Sequence, residues 1–405
     1  MGEKIMHGFP SREQALADFF AAWEPSEESQ AVELVTLDEA YGRIVARDLV
    51  SANTLPVVRA SACDGIAVRS ADFVDGLPDT SSWRMGREFV RADTGDDFPD
   101  EYDAVIMIEK AAVQPDGSVV LDEDVAVAPG EGVRAAGSTI ARGVPLIATG
   151  TQINASDLAV LAMGGSTMVP VRRKPRVAFI PTGSELVPAG VRPLRGQNVD
   201  ANSLMVKHML AAYGAEPLMF PIVKDDPQAL EEAFAEALAA ADLVVINGGS
   251  AVGKEDFNVR MIEERGKVIH HYIAAVPGRP MMLAVADGKP VVDLPGPALA
   301  AYYGTQWCLQ AVTARYLGIP VQQLPTVQVR AESDVSGPPQ MANITCIDVR
   351  RESNGEYTAR FVNGHREGMA AALRTNAQRV SPIGEERVST GQVIEVELRR
   401  AAETL

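Results

Sequence analysis

Leu243-Val-Val-Ile-Asn-Gly-Gly-Ser-Ala-Val-Gly-Lys-Glu-Asp-Phe257 passes from an unbroken apolar run through a glycine-rich turn to a helix start. Residues 243–246 are apolar and mostly β-branched, with no polar alternation, which suits a central parallel strand covered on both faces. Gly248, Gly249 and Gly253 permit positive φ and close backbone approach, so main-chain N–H groups can face an anion where the strand ends. Asp256 then stands at the head of the next helix, as an N-cap and as a carboxylate at the mouth of the turn. The order strand, anion cradle, acid is what the rest of the chain must accommodate.

Working outward, strands and helices alternate from Val177 onward. Residues 177–180, 218–223 and 268–273 read as strands, and 202–213 as a helix stopped by Gly214. Asp226 and Pro227 supply an N-cap and a first-turn proline for a helix with Leu230, Phe234 and Leu238 on one stripe. Asp287-Gly288 joins the runs 281–285 and 290–294 as a hairpin, and 298–317 reads as one long helix ended by Gly318. Such a pattern predicts a doubly wound α/β domain over 175–320, with ligands outside the carboxyl ends of its strands.

The flanks have a different texture. Ser11 and Thr36 open capping boxes, the first before a helix carrying Ala15, Phe19, Phe20 and Trp23, the second before a short helix through Gly42 to Val45. Residues 48–144 are short β runs broken by Gly, Pro and Asp, among them 65–68, 104–108 and 119–121. Residues 155–163 form a short apolar helix, and 172–176 a basic hinge. We assign 1–47 with 145–174 to a linking domain and 48–144 to a β-rich domain. Residues 321–405, with Asn354-Gly355 as a turn and alternation over 392–398, form a small β-barrel.

At 405 residues, 46% apolar and 22% charged, the chain has the composition of a globular protein. It contains no uninterrupted run of about 18 apolar residues for a membrane span, and its N-terminus lacks a signal peptide's apolar region. A formal charge of −17 excludes a nucleic-acid surface built on clustered Lys and Arg. Cys63, Cys308 and Cys346 have no metal-ligand spacing. A cytoplasmic protein with reduced thiols is expected, and Cys63 reads as a small packed thiol, since no histidine stands near it in sequence.

Four loops fall at the ligand edge of the α/β domain: Thr182-Gly-Ser-Glu185, Asp225-Asp226, Gly248-Gly249 with Asp256, and Leu294-Pro-Gly296. Three are acidic and follow strands at one end of the sheet. Carboxylates beside N–H cradles suit Mg²⁺ bridging a phosphate, because Mg²⁺ is held by one or two carboxylates and keeps several waters.

These motifs resemble the MoeA family of molybdopterin molybdenumtransferases, which includes the gephyrin E domain, over nearly the whole chain. Ser61-Ala-Cys-Asp-Gly-Ile-Ala67 stands against S-A-M-D-G-Y-A, Asp93-Thr-Gly95 against M-T-G, and Pro181-Thr-Gly-Ser-Glu-Leu186 against S-T-G-D-E-L. Residues 198–204 match a D-x-N element. Gly248-Gly249 with Gly253 and Asp256 match G-G-x-S-x-G-x-x-D, and Leu294-Pro-Gly296 matches L-P-G-N-P.

The resemblance implies a MogA-like α/β molybdopterin-binding domain, a β-rich domain carrying the Asp-Gly loop, an elongated linking domain and a C-terminal β-barrel, assembled as a homodimer. It implies that adenylylated molybdopterin binds at the α/β domain and that molybdate, or tungstate, enters the dithiolene as AMP is released. Thr182, Gly183, Gly248, Gly249, Ser250, Pro295, Gly296 and Arg279 would contact the ligand, and Glu185, Asp225 and Asp256 would hold Mg²⁺. Glu185 and Asp256 would also be catalytic, with Asp64 supplied by the other chain and Thr94 and Arg134 lining its loop. A molybdopterin adenylyltransferase and recipient molybdoenzymes would be partners.

The departures cluster where charge is expected. A family stretch K-x-x-x-K-P-G-K-P is here Tyr272-Ile-Ala-Ala-Val-Pro-Gly-Arg-Pro280, so Tyr272 and Val276 replace lysines and Arg279 alone keeps its charge. Ala251 takes a serine's place beside Ser250, and L-P-G-N-P becomes Leu294-Pro-Gly-Pro-Ala298. A G-E-D acid pair becomes Gly137-Ser-Thr139, and an arginine run thins to Arg134-Ala-Ala136. The barrel's serine-rich loop becomes Gly368-Met-Ala-Ala-Ala-Leu373. The sequence thus supports an insertase first, and second a catalytically impaired paralogue that carries molybdopterin or scaffolds its assembly.

Overall fold

The computed structural model describes residues 8–248 and 255–400, leaving aside the side chains of Glu255, Asp256 and His365. The chain forms two compact units, Met1–Ala31 with Arg173–Leu405, and Val32–Arg172.

The first unit is built on a mixed sheet of six strands, in the order Glu216–Met219, Arg176–Pro181, Leu243–Asn247, Lys289–Leu294, Met282–Ala286 and Gly266–His270. The first four run parallel, and the hairpin through Asp287 and Gly288 reverses the fifth. Both turn residues have positive φ, 49° and 74°, as a twist-matched two-residue hairpin requires.

Period-two alternation divides the strands between two cores. Val177, Phe179, Leu243, Val245 and Leu294 pack with the helix Asn202–Ala212 and with Leu309 and Val312. Ala178, Ile180, Val244 and Ile246 pack on the opposite face with Phe234 and Leu238 of the helix Pro227–Ala240 and with Met261 and Ile262. Fully burying each such Phe, Ile or Leu contributes about 1.5–3 kcal/mol, which is why the central strand has no polar alternation.

The first helix, Arg12–Ala22, also belongs to this unit. Ala15, Phe19 and Trp23 enter the first core beside Val177 and Phe179, and His270 Nε2 lies 2.8 Å from an Asp18 carboxylate oxygen. The packing therefore divides residues 8–47 between the two units, at Ala31 and Val32. Capping by Ser11 and the apolar stripe dictate a helix but not the surface it covers.

Several expected boundaries move, each for a local reason. The outer strand ends at Met219, and Pro221, which cannot donate to a ladder, separates it from an isolated bridge at Val223, whose N–H donates to the Pro181 carbonyl at 2.8 Å. The helix after Thr36 covers only Leu37–Ala40, since Gly42 turns away with φ 71°. The long helix after Pro297 contains a π turn at Thr305–Leu309, where the Thr305 hydroxyl donates to the Ala301 carbonyl at 2.8 Å. After His270 the chain leaves the sheet, and Ala275–Val276 pairs instead with Ala342 and Asn343.

The C-terminal segment closes into a five-stranded barrel in which Ala342–Arg351 pairs with both Tyr357–Val362 and Ala377–Val380. Its core holds Val329, Ile347, Val349 and Val396, and Leu299 and Tyr303 of the α/β domain pack on Ile344 and Cys346.

In the second unit, Gly65–Val68 is the middle strand between Phe89–Ala92 and Ala104–Met107. A separate cluster of Ala40, Val45, Ile153, Leu161 and Val171 packs the helix Ala155–Met163 against the pair Val32–Thr36 and Met168–Arg172. Among the described residues, no helix is long and apolar enough to cross a membrane.

Lys289 secures the second core from outside the helix. Its Nζ donates to the Leu238 and Ala241 carbonyls, at 2.6 and 2.8 Å, which the helix end leaves unpaired. Lys289→Met should lower the stability of the α/β unit by about 1.5–3 kcal/mol, the value of a charge-assisted hydrogen bond. Urea unfolding followed by far-UV circular dichroism measures it.

Candidate functional site

Where the parallel strands end, Thr182, Gly183, Glu185, Asp225, Gly248 and Gly296 line one cleft of about 530 Å³. Thr182 and Gly183 follow the strand Arg176–Pro181, Gly248 follows Leu243–Asn247, and Gly296 follows Lys289–Leu294. Three parallel strands thus deliver their loops to one place.

Backbone conformation makes the approach possible. Gly248 has φ 109°, and a Cβ there would stand 2.6 Å from the Thr182 carbonyl oxygen. Gly183 has φ 146°, and a Cβ there would stand 2.7 Å from a Glu185 carboxylate oxygen. Any side chain at either position would strain the backbone or displace a cleft wall.

Asn247, the polar residue that ends the apolar strand, holds the loops together. Its Nδ2 donates to the Leu294 and Pro295 carbonyls at 3.3 and 2.9 Å, and its Oδ1 accepts from Asn202 Nδ2 at 2.8 Å. Asn202 Nδ2 also donates to the Gly296 carbonyl at 2.8 Å, and the Thr182 N–H donates to the Asn247 carbonyl at 2.9 Å. Both amide hydrogens of Asn247 are therefore spent on the protein, so this residue shapes the cleft rather than donating to a ligand.

Asp225 is held by the loop that carries Glu185. The Ser184 N–H donates to Asp225 Oδ2 at 3.2 Å, and the Asp225 N–H donates to Ser184 Oγ at 3.0 Å. Asn198, Asp200 and Asn202 complete the wall, and the Ser203 N–H and hydroxyl both donate to the Asp200 carboxylate. Sequence inspection passed over Asn247, Asn198, Asp200 and Asn202 as site residues. The available signals were a lone amide closing an apolar strand and the Asp200-x-Asn202 spacing before a helix.

The remaining predicted residues lie elsewhere. Pro295 is buried off the cleft lining, with its carbonyl occupied by Asn247. Arg279 is exposed at the start of the strand Met282–Ala286, whose Met282 pairs with Asp293, so it stands at the cleft's edge of the sheet without lining the cleft. Gly249 and Ser250 lie outside the described residues. Asp256 falls in the helix Glu255–Glu263, and its side chain is likewise outside them.

The positions of the absent lysines have other work. Tyr272 is ring-packed with Phe9 at 5.3 Å and His271 at 4.6 Å, and Val276 pairs with Asn343 of the barrel. Pro297 and Ala298, the departures after Gly296, line the cleft.

In the other unit, Asp64 sits just before the strand Gly65–Val68. One oxygen of its carboxylate accepts from the Thr94 N–H at 2.7 Å and from the Thr94 hydroxyl at 2.8 Å. These bonds hold the Asp64 pKa below the ordinary carboxylate range. Arg134 lies on the strand opposite Ala60 and donates to the Thr139 hydroxyl at 2.7 Å. Burial among Val90, Phe98 and Val105 raises the Cys63 pKa, so it remains a thiol.

The segment 11–165 matches a family model described as the MoeA N-terminal region, domains I and II, and 178–314 matches a probable molybdopterin binding domain. A molybdopterin molybdenumtransferase of Nostoc sp. is 32% identical over 398 residues, covering 90% of this chain and 88% of that one. One of Haemophilus influenzae is 31% identical over 71% of this chain and 73% of its own. The crystal structure of a molybdopterin biosynthesis MoeA protein from Pyrococcus horikoshii superposes with TM-score 0.77 at 26% identity, covering 97% of this chain and all of that one.

Asn202→Ala would leave the Asn247 Oδ1 and the Gly296 carbonyl without that donor, and should cost about 1–3 kcal/mol, read by urea denaturation. For Asp64 the sign is fixed by its lowered pKa: its stabilising contribution is present above the ordinary carboxylate range and lost as pH falls through the folded value. Thr94→Val removes the hydroxyl bond, so the Asp64 midpoint should rise toward that ordinary range in a carboxyl ¹³C NMR titration. An unmoved midpoint would show that the hydroxyl does not stabilise the carboxylate.

Proposed function

The chain belongs to the MoeA family of molybdopterin molybdenumtransferases, enzymes of molybdenum cofactor biosynthesis, and on that footing we propose that it inserts molybdate or tungstate into adenylylated molybdopterin with release of AMP. The observation that carries this reading is the cleft in which Thr182, Gly183 and Gly248 meet Glu185 and Asp225 at the carboxyl ends of the sheet's parallel strands.

Cleaving a phosphoanhydride requires positioning and charge neutralisation more than covalent chemistry from the protein. The cradle at Gly183 and Gly248 allows the ligand backbone-close approach, and the Asn247 and Asn202 amides keep the loops fixed so that no reorganisation is needed during reaction. Thr182, in the same lining, gives its N–H and its hydroxyl to the Asn247 carbonyl at 2.9 and 3.3 Å and so fixes the wall against which the phosphate rests.

Glu185 and Asp225 offer hard oxygen donors in one cleft, a set that fits Mg²⁺. They would hold the ion, joined by Asp256 from the head of its helix. When bound, Mg²⁺ would neutralise phosphate charge that the acidic lining alone would repel. Glu185 and Asp256 orient attack on the phosphoanhydride.

Asp64 is the further carboxylate, exposed and kept ionised by Thr94, with Arg134 on the strand beside its loop. We assign it to the site of the other subunit in a homodimer, so that two copies complete each centre. A molybdopterin adenylyltransferase would supply the substrate, and apo-molybdoenzymes in the cytoplasm would receive the product.

Purified protein with adenylylated molybdopterin should release AMP only when molybdate and Mg²⁺ are both present, and chelation by EDTA should stop it. Glu185→Gln should slow release by about 10²–10³-fold, the usual loss for one preorganised electrostatic group. Retention of the ligand with no release under any condition would replace the insertase with a carrier.

A further inference from the structure

A second cavity, of about 610 Å³, adjoins the cleft and shares Gly183, Leu186 and Asp200 with it. Its remaining lining differs in chemistry from the acidic cleft. Pro188, Ala189, Leu204, Met219, Phe220, Pro221 and Ile222 make it largely apolar, and its cations are Lys207 and Lys224.

Its construction follows from the fold. Ser203, Leu204 and Lys207 lie on one side of the helix Asn202–Ala212, at i, i+1 and i+4. Met219 ends the outer strand Glu216–Met219, and beyond Pro221 the chain returns to the sheet at Val223, whose N–H donates to the Pro181 carbonyl at 2.8 Å, just before Lys224. Lys224 immediately precedes Asp225 of the cleft, while Asn202 of the cleft heads the helix that carries Lys207. One helix and one loop thus contribute a polar or acidic group to the cleft and a lysine to the neighbouring pocket.

The cations have no competing duty. Neither lysine side chain makes a hydrogen bond or ion pair with any described residue, and no described Lys or Arg lines the cleft itself. Leu204 remains 56% exposed at the mouth, an apolar surface of the kind a flat ring covers.

We propose that this pocket is a subsite for a phosphorylated heteroaromatic group, with Lys207 and Lys224 binding the phosphate and Leu186, Leu204, Met219 and Phe220 covering the ring. The assignment rests on the molybdopterin reading. An adenylylated pterin phosphate contains two groups of this class, the adenosine phosphate and the pterin phosphate, and the chemistry of the pocket accepts either.

Binding of AMP and, separately, of molybdopterin without the adenylate is measured by isothermal titration on the wild-type full chain and on K207Q/K224Q. The variant's melting temperature is checked against wild type, since both side chains are exposed. The affinity for one of the two probes should fall by about tenfold or more, as expected for loss of charge-assisted contacts, and the probe affected identifies which group occupies the pocket. Raising salt should weaken that probe's binding to wild type and have much less effect on the variant. Equal affinity of wild type and variant for both probes overturns the subsite. That outcome is separate from the fate of the insertase reading, which is decided by molybdate-dependent AMP release.

Discussion

The candidate site depends on one amide. Asn247 ends a strand that is otherwise wholly apolar, in a place where an unpaired polar group would cost about 1–3 kcal/mol. The cost is offset because its side chain reaches the carbonyls of Leu294 and Pro295 and accepts from Asn202, while its own carbonyl accepts from Thr182. Four chain segments, distant in sequence, are fixed against each other by this junction. The glycines can then approach closely because nothing near them has to move.

That rigidity serves an electrostatic purpose. The described cleft lining is acidic and amide-rich, with Glu185, Asp200 and Asp225 and no basic side chain. An anionic ligand entering it meets repulsion unless cations come from a metal, from adjoining lysines or from a partner. The separate unit, by contrast, spends two hydrogen bonds from Thr94 on keeping Asp64 ionised. Both arrangements serve to hold charge in a chosen place.

The departures from the family pattern fall at positions with new structural duties. Tyr272 packs with aromatic neighbours and Val276 joins the barrel's strand pairing, so reverting either to lysine would disturb packing as well as restore charge. Thr139, in place of the acid that the resemblance led one to expect, meets Arg134 with a hydroxyl. Each change is tolerated because its local geometry is satisfied by another interaction.

Local chemistry by itself determined the α/β character, the hairpin at Asp287-Gly288, the helix caps at Ser11 and Asp226, and the acid-bearing loops after the strands. Those features depend on side-chain period, φ preference and capping, which act over a few residues. The motif order likewise pointed to the family before any contact was visible. The tertiary structure decided what lies beyond such short ranges. It put the first helix on the α/β core, left Pro295 and Arg279 off the cleft, and showed Asn247 and Asn202 as the lock between loops. Partner choice between residues 45 or 94 positions apart follows from packing and hydrogen-bond satisfaction in three dimensions, and no local pattern encodes it.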